Sequence, residues 1–220
     1  MIEDNVRTLL KELSAGNNLG EQIDLVGASK TVDAATINRA LAAGLTCVAE
    51  NKVQEFNEKF PLVNCKNYQF IGHLQKNKVK YLIGRASLIQ SVDSWDLALE
   101  INRISEKKGV ISDILQQVNI GMESTKSGFS PEECLDRAQD LSALKNLRLK
   151  GLMAMLPVSA DESFLAELCL KMRALYDALR KTDPQIVHLS VGMSGDYKIA
   201  IQNGSNMVRI GSAIFGRRMY

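Results

Sequence analysis

Hydrophobic and polar positions along this 220-residue chain switch repeatedly between two periods. Short apolar runs of strand length are followed by stretches in which apolar residues recur every three or four positions, as on one face of a helix. The chain opens on the helical period. Val6, Leu9, Leu10 and Leu13 fall at i, i+3, i+4 and i+7 and predict an amphipathic helix docked on the body. Strands are then predicted over Leu25–Ala28, Thr46–Glu50, Tyr68–Gly72, Leu88–Val92, Ile114–Ile120, Leu149–Met155, Val187–Val191 and Met207–Ile210. Helices are predicted between them: Ala34–Ala43, Val53–Phe60, Lys76–Ile83, a run from Asp93 or Ser94 to about Lys107, one opening at Ser130-Pro131, then Asp161–Lys181 and Asp196–Gln202. Asp33 is placed to cap the first of these and Gly44 to stop it. Proline at the first helical position, with Glu132 and Glu133 near the positive dipole end, marks the start after Ser130.

Eight strand–helix units are the number that closes an α/β TIM barrel, here with an extra N-terminal helix and one domain filling residues 1–220. The barrel norm is about 250 residues, so short loops are implied. A doubly wound open sheet would carry G-x-G-x-x-G after its first strand. That turn reads Gly27-Ala28-Ser29-Lys30-Thr31-Val32 instead, without the glycines.

Composition narrows the choice of partners. A net charge of +2 and 5% aromatic residues argue against a nucleic-acid partner. No apolar run is long enough to span a membrane, and Glu3, Asp4 and Glu12 offset Arg7 and Lys11 on the first helix, so no membrane partner is expected either. Cys47, Cys65, Cys134 and Cys169 form no C-x-x-C pair and sit in or beside apolar runs. They read as reduced thiols of a cytoplasmic protein. His73 and His188 lie far apart and show no metal-ligand spacing.

The chemistry is expected at the carboxyl ends of the strands, where barrels of this kind carry their sites. Lys30 ends the first strand. An amine held at a barrel mouth, partly desolvated, can attack a carbonyl; a surface lysine ending a strand is the plainer reading. Gly192, Gly195, Gly204, Gly211 and Gly216 cluster in the loops around the last two strands, with Ser194 and Ser212 offering hydroxyls. Those loops are the usual phosphate site of the fold, although glycines also serve tight turns. An amine plus a phosphate cup suggests pyridoxal 5'-phosphate (PLP). Arg209 lies inside an apolar strand and must be bonded to something. It either pairs with a carboxylate or faces the pyridine nitrogen of such a cofactor, to which an arginine cannot readily give up a proton. Gly192-Met193-Ser194-Gly195-Asp196 misses the last glycine of a nucleophile elbow, which argues against a serine hydrolase. Lys126, in a polar loop, reads as a solvated lysine or as a second amine near the mouth. Lys76, Lys78 and Lys80 read as a wet helix face. Asp93 is expected to cap the helix after it.

Several stretches, in this order, resemble the pyridoxal phosphate homeostasis (YggS/PROSC) family, related to the barrel domain of alanine racemase. They are Val26–Thr31, Glu50–Glu55, Phe70–Lys78, Ser124–Gly128, Leu149–Met155, Leu189–Asp196 and, most specific, Gly204–Gly216. The resemblance covers essentially the whole chain. It implies a fold-type III PLP-binding barrel in which Lys30 carries PLP as a Schiff base. It further implies that Ser194, Gly211 and Ser212 hold the phosphate, that Arg209 faces the pyridine nitrogen and that Asn51 lies near the ring. Ala49, Gln69 and Asn206 depart from the glycine, histidine and threonine common there, which bears on the pocket wall. The function implied is intracellular PLP homeostasis: a monomer that binds, buffers or delivers the cofactor to apo PLP-dependent enzymes. A PLP-dependent amino-acid racemase and a cofactor-free Schiff-base lyase are the alternatives. Racemases of the related family take an acid/base tyrosine from a separate β domain. Here the chain ends at Tyr220 soon after the last strand, which leaves Tyr68 as a barrel candidate.

Overall fold

The computed structural model describes residues 1–123 and 125–216; Ser124 of the loop motif and the terminal Tyr220 lie outside the described residues. Eight parallel strands close into a barrel in chain order: β1 (Asp24–Ala28), β2 (Cys47–Glu50), β3 (Tyr68–Phe70), β4 (Ile89–Val92), β5 (Ser112–Val118), β6 (Leu147–Ala154), β7 (His188–Met193) and β8 (Met207–Ile210). β8 pairs back onto β1, with Val26 opposite Arg209. The expected TIM barrel is therefore observed, with helices covering the strands.

The helices are α1 (Ile2–Leu13), α2 (Ala34–Ala42), α3 (Val53–Lys59), α4 (Trp95–Lys108), α5 (Cys134–Ser142), α6 (Glu162–Thr182), α7 (Tyr197–Gln202) and α8 (Ser212–Phe215). α1 buries Val6, Leu9 and Leu13, and Asn5 Nδ2 donates to the carbonyl of Ile214 at 3.0 Å, tying the chain's first helix to its last. Asp33 caps α2 as expected, accepting from the Thr36 amide at 2.8 Å.

Three local expectations differ. The third helix is a 3₁₀ segment, Lys76–Tyr81, in which only Val79 is buried. Alternating lysines leave it no apolar stripe wide enough to favour an α-helix. α5 begins at Cys134, later than Ser130-Pro131, because the Ser130 hydroxyl accepts from the Glu133 amide at 3.3 Å and closes a separate turn first. Ser94, not Asp93, caps α4, accepting from Leu97 N at 3.4 Å; the Asp93 carboxylate instead meets His73 Nδ1 at 3.1 Å.

The core has two layers. One lies between strands and helices and includes Ile37, Phe56, Leu97, Ile101, Met172 and Tyr176. The other fills the barrel interior with Val26, Cys47, Ala49, Leu88, Leu115, Met153 and Met207. The interior is thus packed rather than hollow. Gly151 makes this closure possible. It has φ +151°, and a β-carbon there would lie 1.8 Å from the His188 carbonyl oxygen, beside the register shift between β5 and β6. Among the described residues, no helix is long and apolar enough to cross a membrane.

Candidate functional site

A cavity of about 510 Å³ opens at the carboxyl ends of the strands, within the range that holds small molecules and cofactors. Lys30, Asn51, Ser194, Arg209, Gly211 and Ser212 all line it. Residues from β1, β2, β7 and β8, far apart in sequence, are brought together because parallel strands deliver their carboxyl ends to one face.

Lys30 follows β1 on a turn that is fastened from below. Ser29 is fully buried; its amide and hydroxyl both reach the Ala49 carbonyl, at 2.9 and 3.1 Å. Thr31 has φ +65°, and its amide donates to Glu55 Oε2 at 2.7 Å. Lys59 bridges the parts, donating to the Ser29 carbonyl (3.1 Å), Glu50 Oε1 (2.8 Å) and Glu55 Oε2 (2.9 Å). Glu50 is wholly buried, and desolvation raises its pKa against the opposing pull of Lys59 and Ser29. This clamp was missed in the sequence. Its one local signal is the Glu55–Lys59 spacing of four on α3.

The anion cup lies between β7 and β8. The Ser194 hydroxyl accepts from the Gly211 amide at 3.3 Å, joining the two loops. Asp196 is the residue that precedes α7. Gly211 opens the short α8, and Ser212 begins it. The Ile214 and Phe215 amides already donate to the Gly211 carbonyl, at 3.0 and 2.9 Å, so the amides of this turn available to an anion are those of Ser212 and Ala213. A β-carbon at Gly195 would meet nothing within 4 Å, whereas one at Gly211 would stand 3.3 Å from the Ala28 carbonyl oxygen.

Arg209 is buried, with 4% of its surface exposed. It donates to the Ser190 carbonyl (2.7 Å), the Ser190 hydroxyl (2.6 Å) and the Ala154 carbonyl (2.9 Å). No carboxylate among the described residues pairs with it, so the ion-pair alternative does not hold. Burial lowers its pKa to about 10, against a smaller opposing effect of Asp196, so it stays charged at neutral pH.

Asn51 contributes a side-chain oxygen that is buried and has no hydrogen-bond partner. An unmatched acceptor on a cavity wall is costly unless a ligand supplies the donor. Gly72 packs so tightly under it that a β-carbon would lie 2.0 Å from the Asn51 carbonyl oxygen.

Lys126 is not a solvated loop lysine. It lines the cavity, donates to the Leu156 carbonyl at 3.1 Å and pairs with Glu123. Tyr68, by contrast, is buried between strands and helices against Phe56 and Phe60, with its hydroxyl 3.4 Å from Glu50 Oε1, and it does not line the cavity. Desolvation, reinforced by Glu50, raises the pKa of its phenol strongly.

The family model described as "Alanine racemase, N-terminal domain" matches residues 2–219. The pyridoxal phosphate homeostasis protein of Aquifex aeolicus is 40% identical over 199 residues, covering 89% of this chain and 87% of the relative. The structure of PipY of Synechococcus elongatus with PLP bound superposes with a TM-score of 0.84 at 28% identity, over 98% of this chain and all of that one. An alanine racemase of Clostridium difficile, in complex with cycloserine, superposes with a TM-score of 0.81 at 18% identity. That match covers this whole chain but 59% of the racemase, and it speaks to the fold alone.

Proposed function

The chain belongs to the alanine racemase N-terminal domain family and is kin to the pyridoxal phosphate homeostasis proteins; from that premise we propose that it binds PLP at the barrel mouth and serves PLP homeostasis. One observation carries the reading. A strand-end lysine, an anion cup and a buried charged arginine share a single cavity of about 510 Å³. PLP has three matching parts: an aldehyde, a phosphate and a pyridine nitrogen. When bound, it supplies an aldehyde that an amine can capture covalently and reversibly.

In this reading Lys30 provides the capturing amine, held in place by the Ser29–Thr31 clamp. Ser194, Gly211 and Ser212 grip the phosphate through hydroxyls and first-turn amides. Arg209 donates to the pyridine nitrogen, and Asn51 Oδ1 accepts from a donor of the bound cofactor. The unmatched oxygen of Asn51 supports that last assignment.

Carriage is favoured over amino-acid chemistry for two reasons. Arg209, with its pKa at about 10, holds its proton at neutral pH, so the nitrogen it faces stays unprotonated and withdraws electrons weakly. Tyr68, the barrel candidate for a second acid/base group, packs on Phe56 and Phe60 in the layer between strands and helices and is not in the cavity wall. We include in the proposal a monomer that hands PLP to apo-enzymes.

The test is the visible absorbance spectrum of the purified protein with PLP, beside Lys30→Ala. A lysine-bound PLP band in the wild type, lost in the variant, is expected. A band in neither protein would overturn the PLP reading, and a band in both would move the anchor to another lysine, with Lys126 next in line.

A further inference from the structure

Four polar side chains run through the otherwise apolar barrel interior: Gln69 on β3, Gln90 on β4, Ser190 on β7 and Arg209 on β8. Gln69 is 3% exposed, and Gln90 and Ser190 are fully buried. Their neighbours in the interior include Cys47, Ala49, Leu88, Leu115, Met153 and Met207. The links are short. Arg209 Nη1 donates to Ser190 Oγ at 2.6 Å, Ser190 Oγ to Gln90 Oε1 at 2.7 Å, Gln90 Nε2 to Gln69 Oε1 at 2.6 Å, and Gln69 Nε2 to Asn67 Oδ1 at 2.9 Å. Ser87 Oγ also donates to Asn67 Oδ1, at 2.9 Å. Asn67 and Ser87 line a second, polar cavity of about 170 Å³, toward the amino ends of the strands. The column thus joins the two ends of the barrel.

Its direction starts at the cation, since a guanidinium only donates. Ser190 Oγ accepts from Arg209 and donates to the oxygen of Gln90, whose amide nitrogen turns toward Gln69 Oε1 and lies 3.3 Å from Met207 Sδ. The same logic turns the amide nitrogen of Gln69 toward Asn67. Every dipole in the column therefore presents its negative end toward Arg209. Aligned hydrogen bonds of this kind polarise one another in a low-dielectric interior. They help to solvate a buried cation that no carboxylate among the described residues pairs with. Three bonds to Ser190 and Ala154 engage three of the five N–H donors of the guanidinium. The other two find no partner among the described residues, and Arg209 lines the cavity.

We propose that Gln69, Gln90 and Ser190 are positioning residues, a one-way hydrogen-bond column that aims Arg209 at the pyridine nitrogen of bound PLP and sets how tightly the ring is held. The proposal rests on the PLP reading above. Such a column is expensive to bury unless each member is satisfied. The remaining interior positions show that apolar side chains would fill the space.

Gln90→Leu keeps most of the side-chain volume and breaks the column at its centre; Ser190→Ala removes only the hydroxyl that touches Arg209. Both are titrated with PLP and with its 1-deaza analogue, in which C–H replaces the ring nitrogen, and melting is followed in parallel. Loss of one well-placed hydrogen bond predicts PLP binding roughly five- to tenfold weaker and a displaced visible maximum. The 1-deaza analogue, having no nitrogen to face Arg209, should bind wild type and variants alike within about twofold. Equal losses for both ligands would mean a merely structural role and would overturn the proposal, as would unchanged affinity and maximum for PLP. Should Gln90→Leu fail to fold, Ser190→Ala decides by the same criteria. A wild type with no lysine-bound PLP would bring down the functional reading, and the column with it; PLP bound normally by both variants brings down the column alone.

Discussion

Replacing Lys59 with methionine probes how the turn that carries Lys30 is held. Methionine keeps the apolar stem and deletes the cation. Lys59 is 12% exposed and makes three bonds, while its partner Glu50 is fully buried. Removing one partner of a buried ion pair costs about 3–5 kcal/mol, because the other charge is left uncompensated. Glu50 keeps the Ser29 hydroxyl at 2.7 Å, which points to the lower end of that range. Glu50 also has an escape, since a buried carboxyl can take up a proton. Desolvation already raises its pKa above 4.5, and losing Lys59 raises it further. A group whose folded pKa lies above its unfolded value adds stability that is fully present below the unfolded pKa and is lost as pH rises through the folded one. The deficit of Lys59→Met should therefore be smaller near pH 5 than at pH 8, where it reaches about 3 kcal/mol, a fall in melting temperature of about 6–12 °C for a chain of this size; the bonds to Glu55 and the Ser29 carbonyl are lost at both. Urea unfolding at both pH values, followed by fluorescence of Trp95, the one tryptophan, reads this directly. Equal losses at pH 5 and pH 8, or a loss under about 1 kcal/mol at pH 8, would refute the buried-pair reasoning. Restoring neutrality with Glu50→Gln in the same chain should recover much of the loss.

Two further outcomes follow from packing. Gly72→Ala would set a β-carbon 2.0 Å from the Asn51 carbonyl oxygen; it should cost on the order of 3 kcal/mol or more and weaken PLP binding by displacing Asn51, and an unchanged melting curve would contradict it. Burial pushes the thiols of Cys134 and Cys169 up to about 12 and that of Cys47 well above its ordinary value, so a disulfide reagent at pH 8 should modify Cys65 first and the other three only on unfolding; peptide mapping that finds rapid native labelling of a second thiol would be inconsistent with this.

The barrel was legible because each strand is a short apolar run and most helices carry a clear stripe or cap. Met207–Ile210 and the Asp33 cap stand where the pattern put them. The six candidate site residues share one cavity for a topological reason that the strand count already contained. What escaped the sequence is whatever depends on pairing across the barrel. Arg209 finds carbonyls and a hydroxyl on β6 and β7 instead of a carboxylate. Lys126 is drawn into the wall by the Leu156 carbonyl, thirty positions away. Asp93 caps nothing because His73, twenty residues earlier, claims its carboxylate. Gln90 and Ser190 carry no local signal, since a glutamine or serine in a strand reads the same whether it faces water or a column of partners. Gln69 stood out only as a departure from the related family.

The most direct test of the central claim is chemical mapping of the anchor: reduction of the protein–PLP complex with borohydride, proteolysis, and mass spectrometry of the peptides. The account predicts a pyridoxyl group on Lys30 at close to one per chain. Pyridoxyl groups spread over surface lysines, or concentrated on Lys126, would contradict it.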